Sequence, residues 1–241
     1  MSGSFWHDVY YGDLQSLWSL LVVPLAFLAW RAAAPTDPRR AAVPAAARFV
    51  AGLTLVFAFE TMLDPIATGP FCRLPGVAGT PWATLVPFLF VLLGDLRVLL
   101  LVAGVARPER TLAGSLRWAL GVSLLVPITT GLLFSATRFV LPDVHGQVLW
   151  MIYEAGFLAL CITLSRVWTP RAGLDAATTN YVRAILGYGA AYYALWLVAD
   201  LLIVGAGLDL GWAIRIVPNQ LYYAFWAPFA WARFFSAQPR D

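Results

Sequence analysis

Four acids sit where lipid-compatible side chains are expected: Glu60, Asp95, Glu154 and Asp200 each fall inside a long apolar run. A carboxylate at that depth costs about 3 kcal/mol on insertion scales, and such residues face a bundle interior where they find partners or do chemistry. A carboxyl with no cationic partner in an apolar pocket keeps its proton, because burial disfavours the anion. It is then a Brønsted acid toward whatever enters the pocket. Glu60 fits this description best, since its run offers no basic residue near it. Asp95 has a structural alternative in Arg97 or a neighbouring helix, and Arg215 can neutralise Asp200 or Glu154 across the bundle. Asp64, just before Pro65 at the end of its run, reads as interfacial.

The neighbours of these acids at helical spacing are aromatic. Tyr192, Trp196 and Asp200 share a face at i, i+4 and i+8. Trp150 and Phe157 flank Glu154, and Phe57 lies one turn before Glu60. In the last run Arg215, Asn219, Tyr222, Tyr223 and Trp226 form a stripe. At 1.5 Å per residue, Glu60 and Asp200 lie ~9 Å below one membrane face and Glu154 and Asn219 ~10–12 Å below it, with Asp95 nearer the midplane. The expectation is an acidic layer inside an aromatic-walled pocket. A belt of aromatic residues at the lipid interface accounts well for Trp18, Trp82, Trp168 and Trp212. It accounts less well for Tyr192, Trp196 and Trp226, which lie deeper in their runs.

The elements that must position these residues are seven apolar runs, at 14–30, 48–64, 82–105, 116–137, 147–168, 181–206 and 211–232. Each approaches or exceeds the roughly 20 residues a helix needs to cross a bilayer. Turn signals separate them, among them Ala34-Pro35-Thr36-Asp37-Pro38, Pro108-Glu109, Leu141-Pro142-Asp143 and Trp168-Thr169-Pro170. Only 12% of residues are charged, against about 25% in soluble domains, and the mean hydropathy is +0.74. The fold class predicted is all-α: a polytopic membrane protein, one seven-transmembrane-helix bundle over residues 1–241. The first loop holds Arg31, Arg39, Arg40 and Arg48; the third Arg107 and Arg110, with Arg117 just beyond; the fifth Arg171, flanked by Arg166 and Arg183; the C-terminus Arg233 and Arg240. The alternate loops hold Arg73 and Arg138. The positive-inside rule then sets the N-terminus outside and the C-terminus in the cytoplasm, with the bacterial inner membrane as the expected location. The N-terminus lacks a basic n-region, so a cleavable signal peptide is not expected. Helices two to four faintly resemble helices five to seven, as in Phe59-Glu60 and Tyr153-Glu154, but the spacings differ and chance explains the likeness better.

Composition excludes several chemistries. All sixteen basic residues are Arg, so the Lys amine that a retinal Schiff base requires is missing. His7 and His145 fall outside the apolar runs and read as solvated, leaving no metal site of the histidine type. Cys72 and Cys161 give no disulfide framework and are expected unpaired. The net charge of +3 comes from arginines at helix ends and does not signal nucleic acid. No phosphate loop or Asp-rich metal motif is present, so neither cofactor nor metal is expected.

Proton donation into an apolar aromatic cavity suits a prenyl chain. Such a chain partitions into the membrane and offers an alkene or an epoxide to an acid. Protonation makes a carbocation, which aromatic faces stabilise by up to ~2 kcal/mol each when desolvated. The chain also resembles the small integral-membrane terpene cyclases of meroterpenoid and indole-terpenoid pathways, as a bacterial branch. The likeness rests on length, seven runs, Phe57-Ala58-Phe59-Glu60, and Leu92-Leu93-Gly94-Asp95. Where fungal members carry Asp with Tyr three residues later, this chain reads Asn219-Gln220-Leu221-Tyr222-Tyr223. The resemblance implies Glu60 as the general acid, and Asp200 or Glu154 in place of the missing second carboxyl, with Asp95 also in the catalytic set. It implies that Asn219 and Arg215 orient the polar head of a prenylated substrate. Tyr192, Trp196, Tyr222, Tyr223, Trp226, Phe57 and Trp150 would wall the cation path. The alternative is a small-solute or proton-coupled transporter, which intramembrane carboxylates, Pro127 and Pro218 also suit. Against it, the inner halves of the runs are nearly all apolar, with Arg97 the main exception.

Overall fold

The computed structural model describes residues 4–33 and 44–236; Arg39, Arg40, Arg240 and the turn at 34–38 lie outside the described residues. The described residues are helical with short connections and contain no strand. A short α1 (Phe5–Tyr11) precedes α2 (Leu14–Ala33), α3 (Ala45–Thr68), α4 (Trp82–Ala106), α5 (Leu112–Val140), α6 (Gln147–Arg171) and α7 (Ala176–Gly205). The six from α2 to α7 are long and apolar enough to cross a membrane. The seventh run is also helical, as α8 over 210–235, in three segments: Leu210–Asn219, a wide π turn at Gln220–Phe225, and Trp226–Phe235.

Two helices, α5 and α7, start earlier than their apolar runs because their caps are polar. Thr111 accepts a hydrogen bond from Gly114 N at 3.1 Å and starts α5. Asp175 accepts one from Thr178 N at 2.9 Å and starts α7. Each satisfies a backbone donor that the first helical turn leaves open.

Sequential helices pack side by side from α2 to α8, and α8 closes the ring by packing on both α3 and α2. The centre of the bundle is α4, which touches α3, α5 and α7. From Gly94 to Ala106 it is buried on every face. Beyond Asp95 and Arg97 that stretch is apolar all round (Val98-Leu99-Leu100-Leu101-Val102), as a helix enclosed by others must be. Between helices in lipid, association rests on close packing rather than on escape from water, so small residues set the approach. Gly94 lies under the Tyr222 ring, Gly104 under Phe49 and Gly156 under Val126, and a Cβ at any of the three would overlap its neighbour.

Trp18 and Trp82 are exposed, whereas Trp168 packs on Trp118 at 5.5 Å and Trp212 is covered by His7, Tyr10 and Tyr11 of α1. The segment 4–12 therefore packs on the bundle as a helix. Asp209 accepts from Trp6 N at 2.8 Å and His7 N at 3.2 Å, which pins α1 across the end of α8. Both cysteines are free thiols.

Candidate active site

A cavity of about 160 Å³ lies between α4, α6, α7 and α8, beneath α1. Two carboxyls line it, Asp95 from α4 and Glu154 from α6. Of the other residues expected in the site, Trp150, Trp196, Arg215, Asn219, Tyr222 and Tyr223 line it as well. Asp95 and Glu154 thus share one chamber, although chain position places Asp95 deeper. Tyr10, Val91, Tyr153 and Tyr193 complete the wall.

The two carboxyls are held differently. Asp95 is buried and accepts two phenol hydrogen bonds, from Tyr153 at Oδ2 and Tyr193 at Oδ1. Its partners are therefore tyrosines of α6 and α7, not Arg97. Glu154 Oε1 stands 3.8 Å from Arg215 Nη1, and its Oε2 has no hydrogen-bond partner among the described residues. Arg215 Nη1 also pairs with Asp200 Oδ1, while Asp200 Oδ2 accepts from Gln147 Nε2 at 2.7 Å. Asp200 is fully buried and does not line the cavity; it fixes Arg215 from behind.

Asn219 ties the cavity roof together. Its Oδ1 accepts from Trp196 Nε1 at 2.9 Å, and Tyr10 Oη receives Asn219 Nδ2 and Arg215 Nε, each at 3.3 Å. An adjoining vestibule of about 320 Å³ shares Tyr10, Asn219 and Tyr223 with the cavity and is lined further by Ser16, Thr68 and Arg73.

Glu60 does not line this cavity, and it is not without a cation. Arg97 of α4 donates to its Oε2 at 3.2 Å, leaving Oε1 with no hydrogen-bond partner among the described residues. The partner comes from a neighbouring helix, where a search along Glu60's own run finds nothing. Arg97 Nη2 donates to the Tyr222 carbonyl, and the guanidinium lies over the rings of Tyr222 at 4.3 Å and Trp226 at 5.0 Å. Trp226 in turn meets Phe57 edge-on at 6.0 Å. Trp226, Phe57 and Tyr192 thus support the wall rather than form it, with Tyr192 packed behind Trp196 and Tyr222 at 5.5 Å from each. Asp64 is buried in the bundle and shares the region of Glu60 and Tyr223.

Two wide π turns begin directly after site residues: Leu201–Gly205 follows Asp200, and Gln220–Phe225 follows Asn219. Such turns concentrate at functional sites. The second follows Pro218, which cannot donate to the helix, and it brings Tyr222 and Tyr223 together on the cavity side. Sequence reading missed Tyr10, Gln147, Tyr153 and Tyr193. Tyr193 had a usable signal, since it stands three residues before Trp196 on the same face.

Among the described residues, no group of three or more His, Cys, Asp and Glu is placed to hold a metal ion. No protein-family model, curated protein or solved structure matches the chain.

Proposed function

We propose that this protein is a membrane-embedded cyclase that protonates the alkene or epoxide of a prenylated substrate and guides the resulting carbocation to a ring product. The observation that carries the reading is a small aromatic chamber holding two carboxyls in contrasting settings: Glu154, beside Arg215 and with no hydrogen bond to its Oε2 among the described residues, and Asp95, held by two phenols.

In this reading Glu154 is the general acid. Five carboxyls (Glu60, Asp64, Asp95, Glu154 and Asp200) share this part of the bundle with two guanidiniums, those of Arg97 and Arg215. Uncompensated buried charge costs several kcal/mol per ion, so protons offset the excess of acid. Glu154 passes its proton to the terminal alkene carbon or the epoxide oxygen. The faces of Trp196 and Tyr222 stabilise the carbon cation that forms, by up to ~2 kcal/mol each. Asp95 takes the proton lost in the last step. One proton enters and one leaves, so substrate and product have the same mass. Glu60 is a positioning residue, holding Arg97 against the Tyr222 carbonyl. The helix over 210–235 crosses the membrane as the seventh span, with the N-terminus outside and the cavity in the outer leaflet of a bacterial inner membrane. The arginines at 107, 110, 171 and 233 support that orientation. The closed, apolar run from Val98 to Ala106 below the cavity favours a dead-end chamber over a transport path.

The test is incubation of membranes containing the protein with farnesylated and geranylgeranylated aromatic or indole acceptors, as olefins and epoxides, read by mass spectrometry and NMR. The expected product has unchanged mass and new rings. Glu154→Gln lowers its rate by roughly 10²–10⁴, the usual contribution of a general acid. Glu60→Gln has a smaller effect. Loss of conversion in Glu60→Gln with Glu154→Gln still active would return the acid role to Glu60. A folded protein that converts none of these substrates would end the cyclase reading.

A further inference from the structure

A second chamber adjoins the carboxyl cavity on the lipid side. It is a groove of about 490 Å³ between α4, α5 and α6, with a wall that is nearly all apolar. Val91, Trp150 and Tyr153 line both spaces. Tyr153 is the residue that donates to Asp95, so the inner end of the groove reaches a group that binds the site carboxylate directly. Away from that end, Phe88 is 51% exposed, so the groove opens on the outer surface of the bundle. Pro87 and Pro127 face it from α4 and α5. Gly131 contributes open space: a Cβ there would meet nothing within 4 Å.

We propose that this groove is a lateral portal that takes the isoprenoid chain of the substrate out of the bilayer and delivers its end past Val91 and Trp150 to the carboxyls. The proposal rests on the cyclase reading and names the path and size of its substrate. At about 30 Å³ of liquid volume per water-sized group, 490 Å³ is room for roughly 16 such groups, on the scale of three isoprene units. A longer chain leaves its excess in lipid. A polar chain is excluded by the apolar wall, and continuity with the carboxyl cavity distinguishes the groove from an ordinary lipid-facing furrow.

The test uses a farnesyl chain carrying a diazirine, photo-crosslinked to the protein in membranes, with labelled peptides mapped by mass spectrometry. Labelling needs no turnover, so it is separable from catalysis. Labels are expected within 83–92, 127–131 and 149–153. Gly131→Phe carries a ring into the groove from a position where a Cβ meets nothing within 4 Å, and it lowers this labelling about tenfold, the factor expected when roughly two methylenes lose their burial. Gly131→Ala, which adds one methyl, leaves labelling unchanged. In Glu154→Gln the labels persist even though conversion is lost. Labels that map elsewhere, or Gly131→Phe labelling equal to wild type with the protein folded, overturn the portal while leaving the cyclase reading intact. Displacement of the probe by excess dioleoyl lipid as readily as by farnesyl alcohol assigns the groove to bilayer acyl chains and overturns it as well. Labels confined to the groove, with no substrate converted, retain the portal and remove the cyclase.

Discussion

Replacing Arg97 with Met tests the central brace of the site. The side chain is 0% exposed and Glu60's is 10% exposed, with 3.2 Å between their charged atoms. Removing the guanidinium orphans the Glu60 carboxyl, frees the Tyr222 carbonyl and ends ring contacts at 4.3 and 5.0 Å. Breaking a buried pair from one side costs about 3–5 kcal/mol. In a chain of this size each kcal/mol moves Tm by about 2–4 °C, so Arg97→Met lowers Tm by roughly 6–20 °C. The second expectation is sharper. In Arg97→Met/Glu60→Gln neither charge remains, and the double variant recovers most of the loss, with a coupling energy of about 2–3 kcal/mol. Arg97→Lys keeps the charge but loses the planar fork that reaches carboxylate, carbonyl and rings together, so it falls between the two. The assay is thermal unfolding in detergent micelles, followed by tryptophan fluorescence, with conversion measured well below Tm. Stability of Arg97→Met within 1 kcal/mol of wild type, or a double variant no better than the single, would refute the reasoning.

Three further outcomes are expected. Gly94→Val drives its side chain into the space of the Tyr222 ring; overpacking costs about 1–3 kcal/mol, and thermal unfolding and conversion should fall together. Tyr153→Phe and Tyr193→Phe each remove one donor to Asp95, at about 1–3 kcal/mol apiece, and a double variant whose loss is strictly additive would show that the two phenols do not act on a shared carboxylate. Asp175→Ala removes the exposed cap of α7 at a cost of about 0.5–1 kcal/mol. Hydrogen bonds from Thr178 hold the Asp175 carboxyl below its usual 3.8. The cap contribution is therefore complete above pH 4 and lost as pH falls through the lower folded value, which stability measured from pH 5 to pH 2, wild type against variant, reads directly.

Much of the architecture was legible because a helix in lipid must be apolar and must end where polar residues collect. Helix identity followed from that, and six of the seven runs fall on helices long and apolar enough to cross a membrane; helix ends differ from the run ends by a few residues, as where Thr111 and Asp175 start helices before their apolar runs. The gathering of Glu154, Arg215, Asn219 and Trp196 was also legible, since depth and helical phase restrict which residues meet, whereas Asp95 joins them from a helix position read as deeper. Pairing between helices was not. Glu60 seemed to lack a cation because Arg97 reaches it from α4, and no periodicity within α3 encodes that. The part played by α1 was hidden for a related reason: seven residues carry no transmembrane signal, yet Tyr10 reaches Arg215 and Asn219 through contacts more than two hundred positions apart.

The wide turn at Gln220–Phe225 also bears on how this protein can diverge. A π turn holds one residue more than the α-helical turn it replaces, and one residue is worth about 100° of rotation. Deleting a residue there would turn Arg215 and Asn219 relative to Trp226 and Ala230, whose packing faces α3 and α7. The turn is a joint between two modules of one helix, one carrying cavity chemistry and the other anchorage. Lineages that gain or lose a single residue in 220–225 can therefore re-aim the upper module while keeping the lower one docked, and comparisons between such chains must allow a one-residue gap at that joint.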